Sequence, residues 1–162
     1  MLNQYITPLI TKYNCKIYGW ADTWKTGKSI KDNDVPKLFA SAKICPSVSE
    51  SHTFHHPVDV PERVFKVPVA GGFTIHTYSP AIKDLFGDVI PTANNQTKWM
   101  NIIDHYLNDN EARSILAKQQ QQYILNKHTY FDRAVVFARH LNNKELITAL
   151  EKTKQSIVDT AF

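Results

Sequence analysis

Cysteine, glycine and arginine are all scarce in this chain: two, five and four residues among 162. Two thiols cannot staple a disulfide scaffold. Cys15 and Cys45 each fall inside a segment that reads as a strand, so both are expected buried and reduced, as in a cytoplasmic protein. The basic residues are mostly lysines, spread along the chain to a net charge of +4. No basic stripe with interleaved aromatics is present, so no nucleic-acid partner is expected. No apolar run approaches the roughly 18 residues of a membrane span. The opening Met1-Leu2-Asn3-Gln4-Tyr5 lacks the basic and apolar regions of a secretory signal. Neither a repeat nor a linker is visible, and the four glutamines 119–122 read as the solvated face of a helix. What is there, 43% hydrophobic and 21% charged residues, is the composition of a globular protein with a real core. The expectation is one domain, residues 1–162.

The pattern is an alternation of strands and helices. Strands are predicted over residues 15–20, 43–48, 73–77 and 89–92. Between them lie helices opened by Thr7-Pro8, by Asp34 with Pro36, near Glu62, and by Ser79-Pro80, the last stopping at Gly87. From Gln96 onward the chain reads as helix. Trp99, Ile102, Ile103, Tyr106 and Leu107 keep the 3.6-residue period, as do Phe131, Ala134, Val135 and Ala138. The fold class is therefore α/β: a Rossmann-like parallel sheet of about four strands covered by helices, with a helical C-terminal third. Ligands of such sheets bind at the carboxyl ends of the strands. Those ends carry two long polar loops, residues 21–33 and 50–59.

The run from Val60 to Phe73 carries the most information. It reads as a short helix that ends at Gly71-Gly72 and feeds the next strand, the return half of a βαβ unit. Asp59 is placed to cap it, with Glu62 reaching back to the cap amide. Its N-terminus would face the loop of residues 50–57, where an anion such as a nucleotide diphosphate could sit. An ordinary connection without a ligand fits the same residues.

Three segments carry a family likeness. They are Lys16-Ile17-Tyr18-Gly19-Trp20 with Ser41-Ala42-Lys43-Ile44; Glu62-Arg63-Val64-Phe65 through Ala70-Gly71-Gly72-Phe73; and His128-Thr129-Tyr130 with Arg133. Residues 8–141 resemble the C-terminal, donor-binding domain of glycosyltransferases with the two-domain GT-B fold. The nearest type is "glycosyl transferases group 1", as in spore-maturation-like proteins. The resemblance implies one half of a GT-B fold that holds a nucleotide-diphosphate sugar, UDP- or GDP-linked, for transfer of a hexose. Donor contacts are expected from Trp20, Ser49, Glu50, His52, Glu62, Arg63, Lys66, Gly71, Gly72, His128 and Arg133. The resemblance implies no metal or other cofactor, and it names no catalytic residue. An acceptor-binding N-terminal domain is implied too, on a longer protein or on another chain. One position departs from the pattern. The family usually has a glutamate after Arg-x-Phe, accepting hydrogen bonds from the ribose hydroxyls, and here it is Lys66. An ammonium donates only, although it can contact a phosphate.

Other polar residues have plain alternatives. His52, His55, His56 and His76 could gather around a metal in a hydrolase, but no Glu follows His52 as the metalloprotease pattern requires. Arg63 suits a phosphate and equally a helix surface. His128 and Arg133 would serve as well in capping or packing. Trp20 and Trp24 could stack on a base, or pack at a strand end. Lys25, Lys28 and Lys31 read as solvated. A non-catalytic nucleotide-binding or protein-interaction module that kept the fold is the alternative to a glycosyltransferase.

Overall fold

Three short strands pair in parallel, in the spatial order β1 (Cys45–Ser47), β2 (Thr74–Thr77), β3 (Thr92–Ala93). The computed structural model that shows them describes residues 2–18, 29–49 and 58–161. Parallel neighbours need a crossover, and both crossovers contain a helix: α3 (Arg63–Val69) and α4 (Pro80–Phe86). Upstream lie α1 (Thr7–Lys12) and α2 (Val35–Ser41). Downstream lie α5 (Gln96–Asn108), α6 (Asn110–Lys127), α7 (Tyr130–His140) and α8 (Lys144–Ala161). The expected class is the one adopted: a mixed α/β, Rossmann-like parallel sheet with a helical C-terminal part, consistent with half of a GT-B fold. Contacts divide the chain into two compact units, Met1–Gln120 and Gln121–Phe162.

Several local expectations change. Among the described residues the sheet has three strands, not about four. Residues 15–17 have no regular structure and Tyr18 makes an isolated bridge, while Gly19 and Trp20 lie outside the described residues. The reason is burial: Asn14, Cys15 and Lys16 are all exposed, so the alternation has no face to bury. Cys15 is therefore an exposed thiol, not a buried one. The first helix starts earlier than Thr7, because a π-helical turn, Leu2–Ile6, runs into it. A 3-10 turn, Asp32–Asp34, likewise leads into α2, and Asp34 makes no side-chain cap. The last strand is confined to Thr92–Ala93. Ser79, Pro80 and Gly87 do bound α4, Gly87 at a φ of 56°.

In the first unit, residues of alternating strand positions separate onto the two faces of the sheet. Phe73, Ile75 and Ala93 join Tyr5, Leu9, Trp99 and Ile103 in one apolar cluster. The Trp99 indole N–H donates to the Tyr5 carbonyl at 3.1 Å, and the two rings meet edge to face at 5.5 Å. Lys12 and Tyr13 both donate to Asp104, at 2.7 Å each, tying α1 to α5. The other β2 residues, Thr74 and His76, stand in register with Cys45 and Ser47 of β1. α3 packs against both strands and buries Val64 and Val67.

Gln120 is fully buried and corrects the reading of residues 119–122 as a solvated face. Its side chain accepts from the Thr74 N–H at 3.0 Å and donates to the carbonyls of Thr74 at 2.8 Å and Val89 at 3.0 Å. The β2–β3 ladder begins only at His76. Below that point the Gln120 amide takes the place of a strand residue and satisfies the backbone that the missing ladder leaves open.

Two glycines end α3. The Gly72 N–H bonds to the Val67 carbonyl at 3.0 Å and the Gly71 N–H to that of Pro68 at 2.8 Å. This is a Schellman motif, and Gly71 takes its left-handed position at a φ of +82°. Gly72 is there for space: a Cβ would stand 2.6 Å from the Phe39 carbonyl oxygen.

The second unit is held by side chains around the start of α7. Thr129 and Asp132 form a reciprocal capping box. Lys154 of α8 donates to Asp132 and to the Asn126 carbonyl. Arg139 and Glu151 pair at 3.3 Å. Val135 and Ala138 are the buried positions of α7, as their spacing predicts.

Candidate functional site

The carboxyl ends of β1 and β2 carry a buried polar cluster where a sheet of this kind binds its ligand. Two buried polar pairs make it up, on opposite faces of the sheet: Ser47 with His76, and Ser49 with Thr77, each residue no more than 9% exposed. The Ser49 N–H donates to the Thr77 hydroxyl oxygen at 2.9 Å, and the two hydroxyls lie 2.9 Å apart. Ser47 and His76 are register partners, so their side chains leave the sheet on the same face. His76 Nδ1 lies 2.5 Å from the Thr77 carbonyl oxygen. A carbonyl only accepts, so Nδ1 carries the proton and Nε2 the lone pair. Nε2 of His76 and Oγ of Ser47 are buried with no hydrogen-bond partner among the described residues.

Electrostatics keep this histidine neutral. Burial pushes the imidazole pKa below its usual value; the Thr77 hydrogen bond opposes the shift, and the Arg63 guanidinium adds to it. Arg63, the first residue of α3, is thus close enough for its charge to be felt at the strand ends. Cys45, two residues before Ser47, is pushed up to about 11 by burial and remains a thiol at neutral pH.

The expected site residues are distributed as follows. Ser49 is bonded to Thr77 at the strand end, and Arg63 is an exposed residue at the start of α3 whose charge acts on His76. Trp20, Glu50 and His52 lie outside the described residues, as do Trp24, Lys25, Lys28, His55 and His56. Asp59 does not cap α3; Glu62 occupies the N-cap position without a side-chain cap bond. The helix is instead entered through a turn in which Val64 N–H bonds to Pro61 and Phe65 N–H to Glu62. The Glu62 carboxylate pairs with Lys66 at 2.9 Å on an exposed face. Gly71 and Gly72 stand at the amino end of β2, where their turn closes α3. His128 and Arg133 belong to the second unit, their side chains 3.4 Å apart beside the Thr129 cap. Sequence reasoning missed Ser47 and Thr77 and considered His76 only as a metal ligand. The available signal was the row of polar residues, Ser47, Thr74, His76 and Thr77, in strands where a parallel sheet usually carries apolar ones.

A separate open groove of about 400 Å³ lies in the first unit between the edge of β3 and α5. Tyr78, Lys83, Asp88, Asn94, Lys98 and Tyr106 line it, and Lys83 pairs with Asp88. Among the described residues, no group of three or more His, Cys, Asp or Glu is placed to hold a metal ion. Nor is any described helix long and apolar enough to cross a membrane.

Neither a curated protein nor a solved structure matches the chain. The glycosyl transferase-like family, in contrast, matches residues 3–152, a span that includes the whole sheet, the polar strand ends and the Thr129 cap. The chain belongs to the glycosyl transferase-like family.

Proposed function

We propose that this domain binds the donor in glycosyl transfer, a nucleotide-diphosphate sugar that is UDP- or GDP-linked, and presents its hexose to an acceptor. The observation that supports this best is the pair of buried polar clusters at the carboxyl ends of β1 and β2, with the charge of Arg63 acting on His76. The diphosphate lies beside Arg63, whose guanidinium bonds phosphate oxygens with charge assistance. In the transfer, an acceptor hydroxyl oxygen forms a bond to the anomeric carbon. The bond from that carbon to the phosphate oxygen breaks, and the diphosphate leaves with the electron pair. Arg63 stabilises the charge that grows on the leaving group. A second domain, in a longer protein or on another chain, holds the acceptor and takes its proton. Calorimetric titration with UDP and GDP tests this reading: one of the two binds, and Arg63→Ala weakens it.

A second reading rests on Lys66. The carboxylate usual at that position is replaced by an ammonium already paired with Glu62. A non-catalytic module that kept the fold would carry such a change without loss. Failure of both UDP and GDP to bind selects it.

A further inference from the structure

We propose that Ser47 and His76 form a hydroxyl-binding pair that holds a sugar hydroxyl of the donor, supplying the acceptor that Lys66 cannot. The inference rests on the donor-binding reading above and assigns residues to that site. Three facts carry it. Nε2 of His76 and Oγ of Ser47 are both wholly buried and both lack a partner among the described residues. Buried polar atoms without partners are rare in folded proteins and call for an explanation. The two belong to register partners on adjacent parallel strands, at the sheet end where ligands bind.

The chemistry selects the ligand group. The Nδ1–H of His76 is committed to the Thr77 carbonyl, so the ring offers Nε2 only as an acceptor. A phosphate oxygen would meet a lone pair there and gain nothing. A hydroxyl suits the pair chemically, because it can donate to Nε2 and accept from the Ser47 O–H. The site is thereby divided: Arg63 serves the anionic part of the donor, and Ser47 with His76 the neutral polyol part. Ribose and hexose both carry such hydroxyls.

The test is calorimetric titration of the full chain with UDP, 2′,3′-dideoxy-UDP and UDP-glucose. It is run on the wild type, Ser47→Ala, His76→Phe and His76→Gln. Gln keeps an acceptor near the Nε2 position. A ribose contact predicts that dideoxy-UDP binds about tenfold more weakly than UDP to the wild type but equally to Ser47→Ala and His76→Phe. A hexose contact predicts that these two variants lose about tenfold for UDP-glucose while keeping UDP unchanged. In either case His76→Gln retains most of the difference, and the Nε2 nitrogen resonance of His76 shifts when ligand is added. Folded variants that bind all three ligands like the wild type overturn the assignment and leave the pair to a buried water. Equal losses for all three ligands also overturn it, because the effect is then not that of a hydroxyl. If the wild type binds GDP in place of UDP, the guanosine counterparts of the three ligands are used with the same expectations; if it binds neither UDP nor GDP, the donor-binding reading itself falls, and this inference with it.

Discussion

Replacing Gln120 by leucine should destabilise the first unit by about 3–5 kcal/mol, although the change conserves volume in an apolar direction. The figure follows from its hydrogen bonds. The side chain makes three, all to backbone groups of the sheet: the Thr74 N–H, the Thr74 carbonyl and the Val89 carbonyl. Each net bond is worth about 1 kcal/mol, and a buried group left without a partner costs about 1–3 kcal/mol. Two of the three orphans would be carbonyls, which tolerate isolation better than the amide does. That holds the total near the lower half of the summed range. The loss is a large fraction of the 5–15 kcal/mol typical of a domain. Urea unfolding followed by tryptophan fluorescence reads it directly, since Trp99 is buried in the same unit. Gln119→Leu, at an exposed position of the same helix, is the control and should fall within about 0.5 kcal/mol of the wild type. Gln120→Glu adds a sharper arm. An ionised carboxylate accepts from Thr74 N–H but faces two carbonyls with no proton to give. Burial raises the pKa of such a group, so this variant should regain stability as the pH falls and lose it as the pH rises. If Gln120→Leu unfolds within 1 kcal/mol of the wild type, on the scale of a single hydrogen bond, the side chain is not substituting for a strand.

Other perturbations have expected outcomes of their own. Gly72→Ala puts a Cβ 2.6 Å from the Phe39 carbonyl oxygen and 2.9 Å from the Val67 side chain; it should cost about 1–3 kcal/mol in urea unfolding, and a neutral result would mean that α2 can move aside. Gly71→Ala meets open space but a φ of +82°, so its cost is strain alone, about 1–2 kcal/mol by the same measurement. Burial alone would raise the Asp132 pKa, but the hydrogen bonds from Lys154 and Thr129 outweigh it and leave the carboxyl below its ordinary value. Its stabilisation is therefore present above the unfolded pKa of about 3.9 and lost as the pH falls through the lowered folded value; Asp132→Asn should flatten that acid limb, seen by helical circular dichroism against pH. Lys66→Glu should tighten UDP or GDP binding about five- to hundredfold if the ribose diol lies beside it, since like-charge repulsion from Glu62 on an exposed helix face is small. Unchanged calorimetric affinity would place the ribose elsewhere.

The helices were the most legible part of the sequence, because an apolar stripe at 3.6 residues has one meaning. Trp99 and Ile103 on α5, and Val135 and Ala138 on α7, are buried as that period requires. Short parallel strands are less legible. Residues 15–20 read as a strand in the sequence as residues 73–77 do, and the exposure of residues 14–16 distinguishes them among the described residues. Gln120 was hidden by its neighbours: a run of four glutamines reads as polar surface, yet Leu116, Gln120 and Ile124 recur at four-residue spacing on one helix face. The candidate site was half legible. Ser49 and Arg63 follow from the position of the strand end and from the family likeness. Ser47, His76 and Thr77 do not, because a polar residue inside a strand gives no periodic signal and its meaning depends on which strand lies alongside.

The two thiols, one exposed and one held in β1, give the molecule a built-in accessibility gauge. Cys15 is exposed, although its thiol donates to the Leu9 carbonyl at 3.3 Å and burial raises its pKa; the half-buried Cys45 thiol is turned toward the Phe39 carbonyl at 3.8 Å and is pushed by burial to about 11. Alkylation proceeds through the thiolate, so at neutral pH exposed Cys15 should react first and half-buried Cys45 more slowly, speeding up whenever β1 opens. Cys45 lies in the same three-residue strand as Ser47. Its modification rate, with Cys15 already blocked, therefore clocks the breathing of the strand end that forms the candidate site. Any occupant that closes that end should slow the clock without needing to touch the sulfur.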